Sequence, residues 1–166
     1  MKRVDYMAVA EQAMDQIRIG AFLTVKAGEA LNTMTIGWAT IGYVWSRPVM
    51  MVAVRFTRHT FTIIEKAADF TVSIPWEDLG DELTFCGTKS GRDYDKFAEC
   101  NLKTIPGQQV VSPIIQMRGL HYECKLVYKS AMDPAFLDSG YDERVYPAKD
   151  YHTLYFGEIV DCYETE

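Results

Sequence analysis

Between Leu31 and Thr60 the chain carries two long apolar runs with only a few residues between them, and that spacing limits what it can fold into. Met34 to Tyr43 and Pro48 to Val54 read as two β-strands joined by a short turn at Ser46-Arg47, which makes them an antiparallel pair. Pro48 stands at the start of its strand, where a missing N–H costs the ladder least. Small polar residues precede the pair (Asn32, Thr33, Thr35), cations and hydroxyls follow it (Arg55, Thr57, Arg58, His59, Thr60), and Trp38 and Trp45 lie among the strands. Such a set suits a flat aromatic ligand that carries a phosphate.

The rest of the chain extends this pair into a β-rich order. Apolar residues three or four apart from Val4 to Ile17 predict a helix or docked arm within residues 1–19. Ala21 to Val25 is a strand closed by the turn composition Ala27-Gly28-Glu29. Thr60 to Ala68 changes to helical period, and Phe70 to Ile74 returns to alternation before Pro75, giving β-β-β-α-β. Two short helices are expected next: one capped by Asp78 or Asp81 and ending at Gly87, the other from Tyr94 to Cys100, capped by Asp93, with Tyr94 and Phe97 facing inward. Between them lies Cys86-Gly87-Thr88-Lys89-Ser90-Gly91-Arg92, a loop of glycines, hydroxyls and cations where a phosphate could rest. Leu102 to Val111 reads as irregular connection and Pro113 to Ile115 as extended chain. Leu120 to Val127 alternates, with His121, Glu123 and Lys125 on the face opposite Leu120, Tyr122, Cys124 and Leu126. Residues 133–151 read as an irregular loop before a last strand, Thr153 to Tyr163. Helices do not alternate regularly with strands, so the order favours a mainly β fold, an antiparallel barrel with short inserted helices, in one domain over residues 1–166.

Composition narrows the function classes. A net charge of -6 without a basic tract argues against a nucleic-acid surface. The apolar runs fall short of the roughly 20 residues a bilayer span needs, and the start mixes in acids too early for a secretory signal, so no membrane is expected and the cytoplasm is the expected compartment. The cysteines, Cys86, Cys100, Cys124 and Cys162, form no CxxC pair and read as reduced core thiols. GxGxxG, P-loop, GxSxG and HExxH motifs are all missing, so any nucleotide must be held in another way. Of the histidines, His59 and His121 have surface or strand readings, whereas His152 sits where the irregular loop enters the last strand, a frequent place for ligand contacts.

Several segments, in order, carry a resemblance. Asn32-Thr33-Met34-Thr35-Ile36-Gly37-Trp38, Arg47-Pro48 through Arg55, Arg58-His59-Thr60-Phe61, Phe70 to Pro75, Cys86 to Arg92 with Asp95-Lys96-Phe97, Leu120 to Lys125, and His152 to Glu158 together resemble the flavin reductase-like family, its flavoredoxin branch above all. The resemblance implies a split β-barrel of Greek-key type that binds FMN non-covalently near the interface of a homodimer. It implies that Asn32, Thr33, Met34, Thr35 and Trp38 lie beside the flavin, that Arg55, Thr57, Arg58, Thr60 and the loop from Ser90 to Lys96 make further contacts, and that His152 lies close to the ring. The implied activity is NAD(P)H-dependent hydride transfer to flavin; the alternative is an FMN-binding electron-transfer protein fed by a redox partner protein. The residue types agree with these roles. A phosphate needs hydroxyls, free N–H groups and cations, which Thr57, Arg58, Thr60, Ser90, Arg92 and Lys96 supply, and Trp38 and Asn32 suit a flat ring with a polar edge. The cofactor carries such chemistry itself, so no catalytic side chain is named. Asp133 to Tyr151 matches no strong signature of the family and is the region expected to shape access to the ring.

Overall fold

The computed structural model describes residues 1–166. Its elements run β1 (Lys2–Arg3), α1 (Ala10–Ile17), β2 (Ala21–Ala27), β3 (Ala30–Ile36), β4 (Ala39–Val44), β5 (Arg47–Arg55), α2 (His59–Ile64), β6 (Asp69–Pro75), α3 (Gly80–Thr88), α4 (Lys96–Glu99), β7 (Thr104–Ile105), β8 (Ile114–Ile115), β9 (Gly119–Ala131), a 3-10 turn (Pro134–Phe136), α5 (Ser139–Val145) and β10 (His152–Thr165). The main sheet has the order β3-β2-β6-β9-β10-β5-β4, with β1 added beside β10, and its pairings are antiparallel. Consecutive strands β3 and β4 therefore occupy the two ends of the order. The sheet curls until these ends approach, and only Gly37-Trp38 crosses the seam. This is the mainly β split barrel expected.

The seam corrects the expectation of one strand from Met34 to Tyr43. One segment cannot pair with β2 at one end of the sheet and with β5 at the other without breaking, so it breaks at Gly37-Trp38. The tight turn also falls one residue earlier than expected. Trp45 and Ser46 both adopt left-handed backbone, φ 54° and 56°, the geometry a two-residue hairpin needs to match strand twist. The indole of Trp45, bulky for such a position, packs edge-on against Tyr128 and Phe156 at 5.9 and 6.3 Å.

Inside the barrel, Leu23, Val25, Met50, Val52, Val54, Phe70, Val72, Leu120, Tyr122 and Tyr155 form one continuous core. Ala13 and Ile17 of α1 plug one end, so the opening segment is a helix packed onto the core. Cys86, Cys124 and Cys162 are buried and all four cysteines are free thiols.

Further expectations change. His121 and Glu123 do not face solvent, because residues 105–117 cross that face of β9; every residue from Gly119 to Cys124 is buried. The Glu123 carboxylate accepts the backbone N–H groups of Gln108 and Gln109, at 2.7 and 2.6 Å, and Asp69 accepts those of Val111 and Ser112. The stretch expected to be a loose connection is thus pinned by two buried acids. Helix α4 begins later than expected: Asp95, not Asp93, caps it by accepting from Phe97 and Ala98, since Asp93 and Tyr94 are still in a turn on the Ser90 carbonyl. Tyr94 consequently lies outside, 41% exposed. Neither Asp78 nor Asp81 caps α3; Leu79 holds that position without a side-chain bond, and the helix runs on to Thr88. Lastly, residues 133–151 are an ordered strap containing a 3-10 turn and α5, each capped by an aspartate, Asp133 and Asp138. No helix is long and apolar enough to cross a membrane.

Candidate functional site

Two adjoining cavities open where β3, the start of α2, and the loop after α3 converge. The first, about 130 Å³, is lined by Asn32, Met34, Thr57 to Thr60 and the run from Cys86 to Arg92, and closed by Lys96. Its charged residues are Arg58, Lys89, Arg92 and Lys96, and no Asp or Glu lines it. In a chain of net charge -6 that concentration of cations marks an anion site. His59 registers the local field. Burial, with Arg92 and Lys96 nearby, holds its imidazole below the ordinary range. Cys86 adds no competing anion, because burial pushes its thiol up to about 12.

Three of the four cations are set by backbone, and Lys89 lies over the Tyr94 ring. The Arg58 guanidinium donates to the Gly87 carbonyl at 3.3 Å and that of Arg92 to the Thr57 carbonyl at 3.2 Å, so each strap-like loop is tied to the other while further N–H groups stay free. Ser90 turns the loop by accepting from the Arg92 N–H. Lys96 differs. It is 4% exposed and its ammonium donates to the carbonyls of Thr33 and Cys86 at 3.0 and 2.7 Å, bracing α3 against β3. Burial depresses its pKa, as expected for a cation withdrawn from water. Asn32 and Thr60, both buried, are joined by an amide-to-hydroxyl bond of 2.8 Å.

The second cavity, about 180 Å³, lies along the seam and is lined by Met34 to Trp38, Ala53, Arg55, Arg58 and His152. Met34 and Arg58 line both cavities, so the two form one cleft with a cationic end and an aromatic end. Trp38 is 47% exposed and its ring lies 4.6 Å from that of His152. The Arg55 guanidinium bonds Asp150 at 2.5 Å and the Val145 carbonyl at 3.3 Å, which ties the strap over this end.

Of the residues singled out from sequence, Asn32, Met34, Thr57, Arg58, Thr60, Ser90 and Lys96 line the cationic end, and Met34, Thr35, Trp38, Arg55, Arg58 and His152 line the aromatic end. Thr33 is the one that lies apart. Its side chain lies on the sheet face opposite the core residues Leu23 and Met34, where its hydroxyl accepts from Thr24 and donates to the Leu23 carbonyl, and only its backbone carbonyl reaches the site through Lys96. The Thr35 hydroxyl, on the same face, is likewise engaged, donating to the Leu83 carbonyl of α3. Sequence reasoning included Gly91 only as part of the loop from Ser90 to Lys96 and gave no site role to Tyr146 or Asp150. Gly91 approaches Asn32 so closely that a Cβ would stand 2.3 Å from its Oδ1. A glycine between Ser90 and Arg92 was the available signal; for Tyr146 and Asp150 the signal was absent, because their partners are distant in sequence.

The Flavin reductase like domain model matches residues 19–166, almost the whole barrel and both cavities. The chain belongs to the flavin reductase-like family. Within that family, flavin is the cofactor class to which the cleft corresponds. Flavoredoxin of Desulfovibrio vulgaris (Miyazaki F) superposes with a TM-score of 0.69 at 25% identity, covering 89% of this chain and 69% of that one. An FMN-binding protein from Thermus thermophilus has the same fold, with a TM-score of 0.68 at 23% identity over 87% of this chain and 69% of that one. An uncharacterized protein of Archaeoglobus fulgidus is 26% identical over 84% of this chain and 68% of its own length. The chain thus spans about two-thirds of the length of these relatives.

Proposed function

We propose that this flavin reductase-like chain binds FMN and works as an oxidoreductase that passes electrons from NAD(P)H to the flavin. The observation that carries the reading is a cleft with four cations and no acid at one end, joined through Met34 and Arg58 to a Trp38-lined slot at the other. The donor set fits a single phosphate: Thr57, Thr60 and Ser90 supply hydroxyls, and Arg58 and Arg92 supply charge-assisted donors. Trp38, Ala53 and His152 would flank the plane of the ring, while Asn32 lines the cationic end with the phosphate donors. Flavin, when bound, supplies the two-electron chemistry, and the chain's own residues anchor the phosphate, set the ring in the seam and limit water around it.

Trp38 remains half exposed, which leaves the mouth of the slot open to a small-molecule donor. A homodimer is part of this proposal: Tyr43, Trp45 and Tyr128 are each more than half exposed, and Trp45 touches Tyr128, an aromatic patch of the kind that partners cover. The test is a visible spectrum of purified protein after FMN addition and desalting, followed by anaerobic mixing with NADH and with NADPH. Retained flavin bands and bleaching by one nicotinamide are expected. Loss of all flavin on desalting, with no micromolar binding in titration, would overturn the FMN reading. Retained flavin that only dithionite or a partner protein can reduce would point to an electron-transfer protein instead.

A further inference from the structure

His152 opens β10 opposite Arg55, and burial, with the Arg55 guanidinium close by, pushes its imidazole down to about 4. At neutral pH the ring is therefore uncharged and carries one N–H, on one of two nitrogens. Nδ1 lies 2.7 Å from the hydroxyl of Tyr146, a strap residue only 2% exposed. The same hydroxyl lies 3.1 Å from Met132 Sδ. A phenol has a single proton, and an unprotonated imidazole nitrogen is a much stronger acceptor than a thioether. Of the two arrangements, O–H to Nδ1 or Nδ1–H to the phenol oxygen with the phenol proton on Met132 Sδ, the first makes the stronger bond, and it leaves the ring's own N–H on Nε2.

Nε2 has no partner within the protein. The buried polar side-chain atoms left without a bond are Trp76 Nε1 and Tyr122 Oη, so His152 Nε2 is not sealed in the interior, and His152 lines the Trp38 end of the cleft. Tyr146 is itself held in place. The Arg55 guanidinium lies 5.2 Å from its ring, bonds the Val145 carbonyl beside it and pairs with Asp150 beyond it. Asp142 ties the strap to itself through Lys149 and Tyr151.

We propose that Tyr146 is a positioning residue: it holds His152 as the Nε2–H tautomer, so the Trp38 end of the cleft offers one neutral donor and takes ligands through an acceptor, a carbonyl or carboxamide oxygen. The ligand half rests on the cleft being the flavoprotein's reaction site. The tautomer half does not, and it is measured without flavin.

The experiment uses protein labelled with 15N at histidine, with the His152 signals assigned by comparison with His152→Gln. At pH 7 the wild type is expected to give a protonated Nε2 and an unprotonated Nδ1. Tyr146→Phe is expected to give a mixture of the two tautomers while its thermal unfolding stays cooperative. With FMN loaded, acetophenone, which only accepts hydrogen bonds, is expected to perturb the Nε2 signal and to bind about twofold more weakly to Tyr146→Phe, because only part of that population presents Nε2–H. Aniline, used as the donor-bearing control, is expected to leave Nε2 unperturbed. A proton on Nδ1 in the wild type overturns the proposal without any variant, as does an unchanged tautomer in Tyr146→Phe. Equal responses to acetophenone and aniline overturn the selectivity it assigns. A failure to retain FMN would sink the flavin reading and leave the tautomer result standing on its own.

Discussion

Asn32 Nδ2 donates to Thr60 Oγ1 at 2.8 Å, and Gly91 packs over that pair with no room for a methyl group. The bond joins β3 to α2, and the glycine brings the loop from Ser90 to Arg92 against both. Because Asn32 is 4% exposed and already bonded, it cannot swing clear of an added Cβ. Gly91→Ala should cost about 1–3 kcal/mol by overpacking and lower FMN affinity at least tenfold. Urea unfolding and fluorescence titration with FMN read the two effects. Full affinity in the variant would mean that the loop's approach to Asn32 has nothing to do with the ligand.

Lys96 and Arg58 both line the cationic cavity, yet they should behave differently. Two of the three ammonium donors of Lys96 are committed to backbone carbonyls, whereas Arg58 spends one weak bond on Gly87. Lys96→Met should therefore lose stability, on the order of 2 kcal/mol after the gain from no longer burying a charge. Arg58→Ala should leave stability within about 0.5 kcal/mol and weaken FMN binding by about tenfold or more, with a shallower salt dependence. The two variants compared by denaturation and by titration at two salt concentrations separate a brace from a phosphate contact. Sequence alone puts both in one class, since a lysine among glycines and hydroxyls looks like a free cation.

That contrast shows where the sequence is legible. Local signals carry through: apolar period found β5, β6 and β10 to within two or three residues, and the run of cations and hydroxyls marked both walls of the cavity. Long-range pairing does not carry through. Nothing near Met34 reveals that its strand must end at Ile36 because the next partner lies at the far edge of the sheet. Alternation along β9 predicts a solvent face, and only the crossing of residues 105–117 buries His121 and Glu123. The strap reads as loop because the bonds that order it, Arg55 to Asp150 and Tyr146 to His152, join residues no local pattern connects.

Glu123 supplies the next test. Its two carboxylate oxygens accept from Gln108 and Gln109, and the first of them also accepts the Tyr163 hydroxyl at 2.5 Å. Glu123→Gln replaces one acceptor with an N–H₂ group, which meets a backbone N–H head on. A buried donor left without an acceptor costs about 1–3 kcal/mol. Chemical denaturation should register that loss, and hydrogen exchange should speed up first at Gln108 and Gln109. Uniform exchange across the chain would contradict the idea that the acid pins this segment locally.

His121 sits in a closed proton chain that explains its charge state and predicts a pH effect. Ile115 N–H donates to Ser73 Oγ, and Ser73 Oγ lies 3.0 Å from His121 Nδ1. On the other side His121 Nε2 lies 2.8 Å from Thr165 Oγ1, whose hydroxyl donates to the Met117 carbonyl. Thr165 has given its proton away, so it accepts from Nε2–H, and Ser73 donates to Nδ1; every group is satisfied only when the ring is neutral. Burial pushes this imidazole down to about 4. Above pH 6.5 both folded and unfolded chains hold the ring neutral, and stability does not depend on it. Between 6.5 and about 4 the unfolded chain takes up a proton that the folded chain refuses, so stability falls as pH falls, by about 3 kcal/mol for this one group. His152 acts in the same direction over the same window. Urea midpoints measured at half-unit steps should show a steeper loss below pH 6.5 in the wild type than in His121→Gln, whose side chain can still accept from Ser73 and donate to Thr165. Identical slopes in the two proteins would mean that the ring takes up its proton as readily in the folded chain as in the unfolded one.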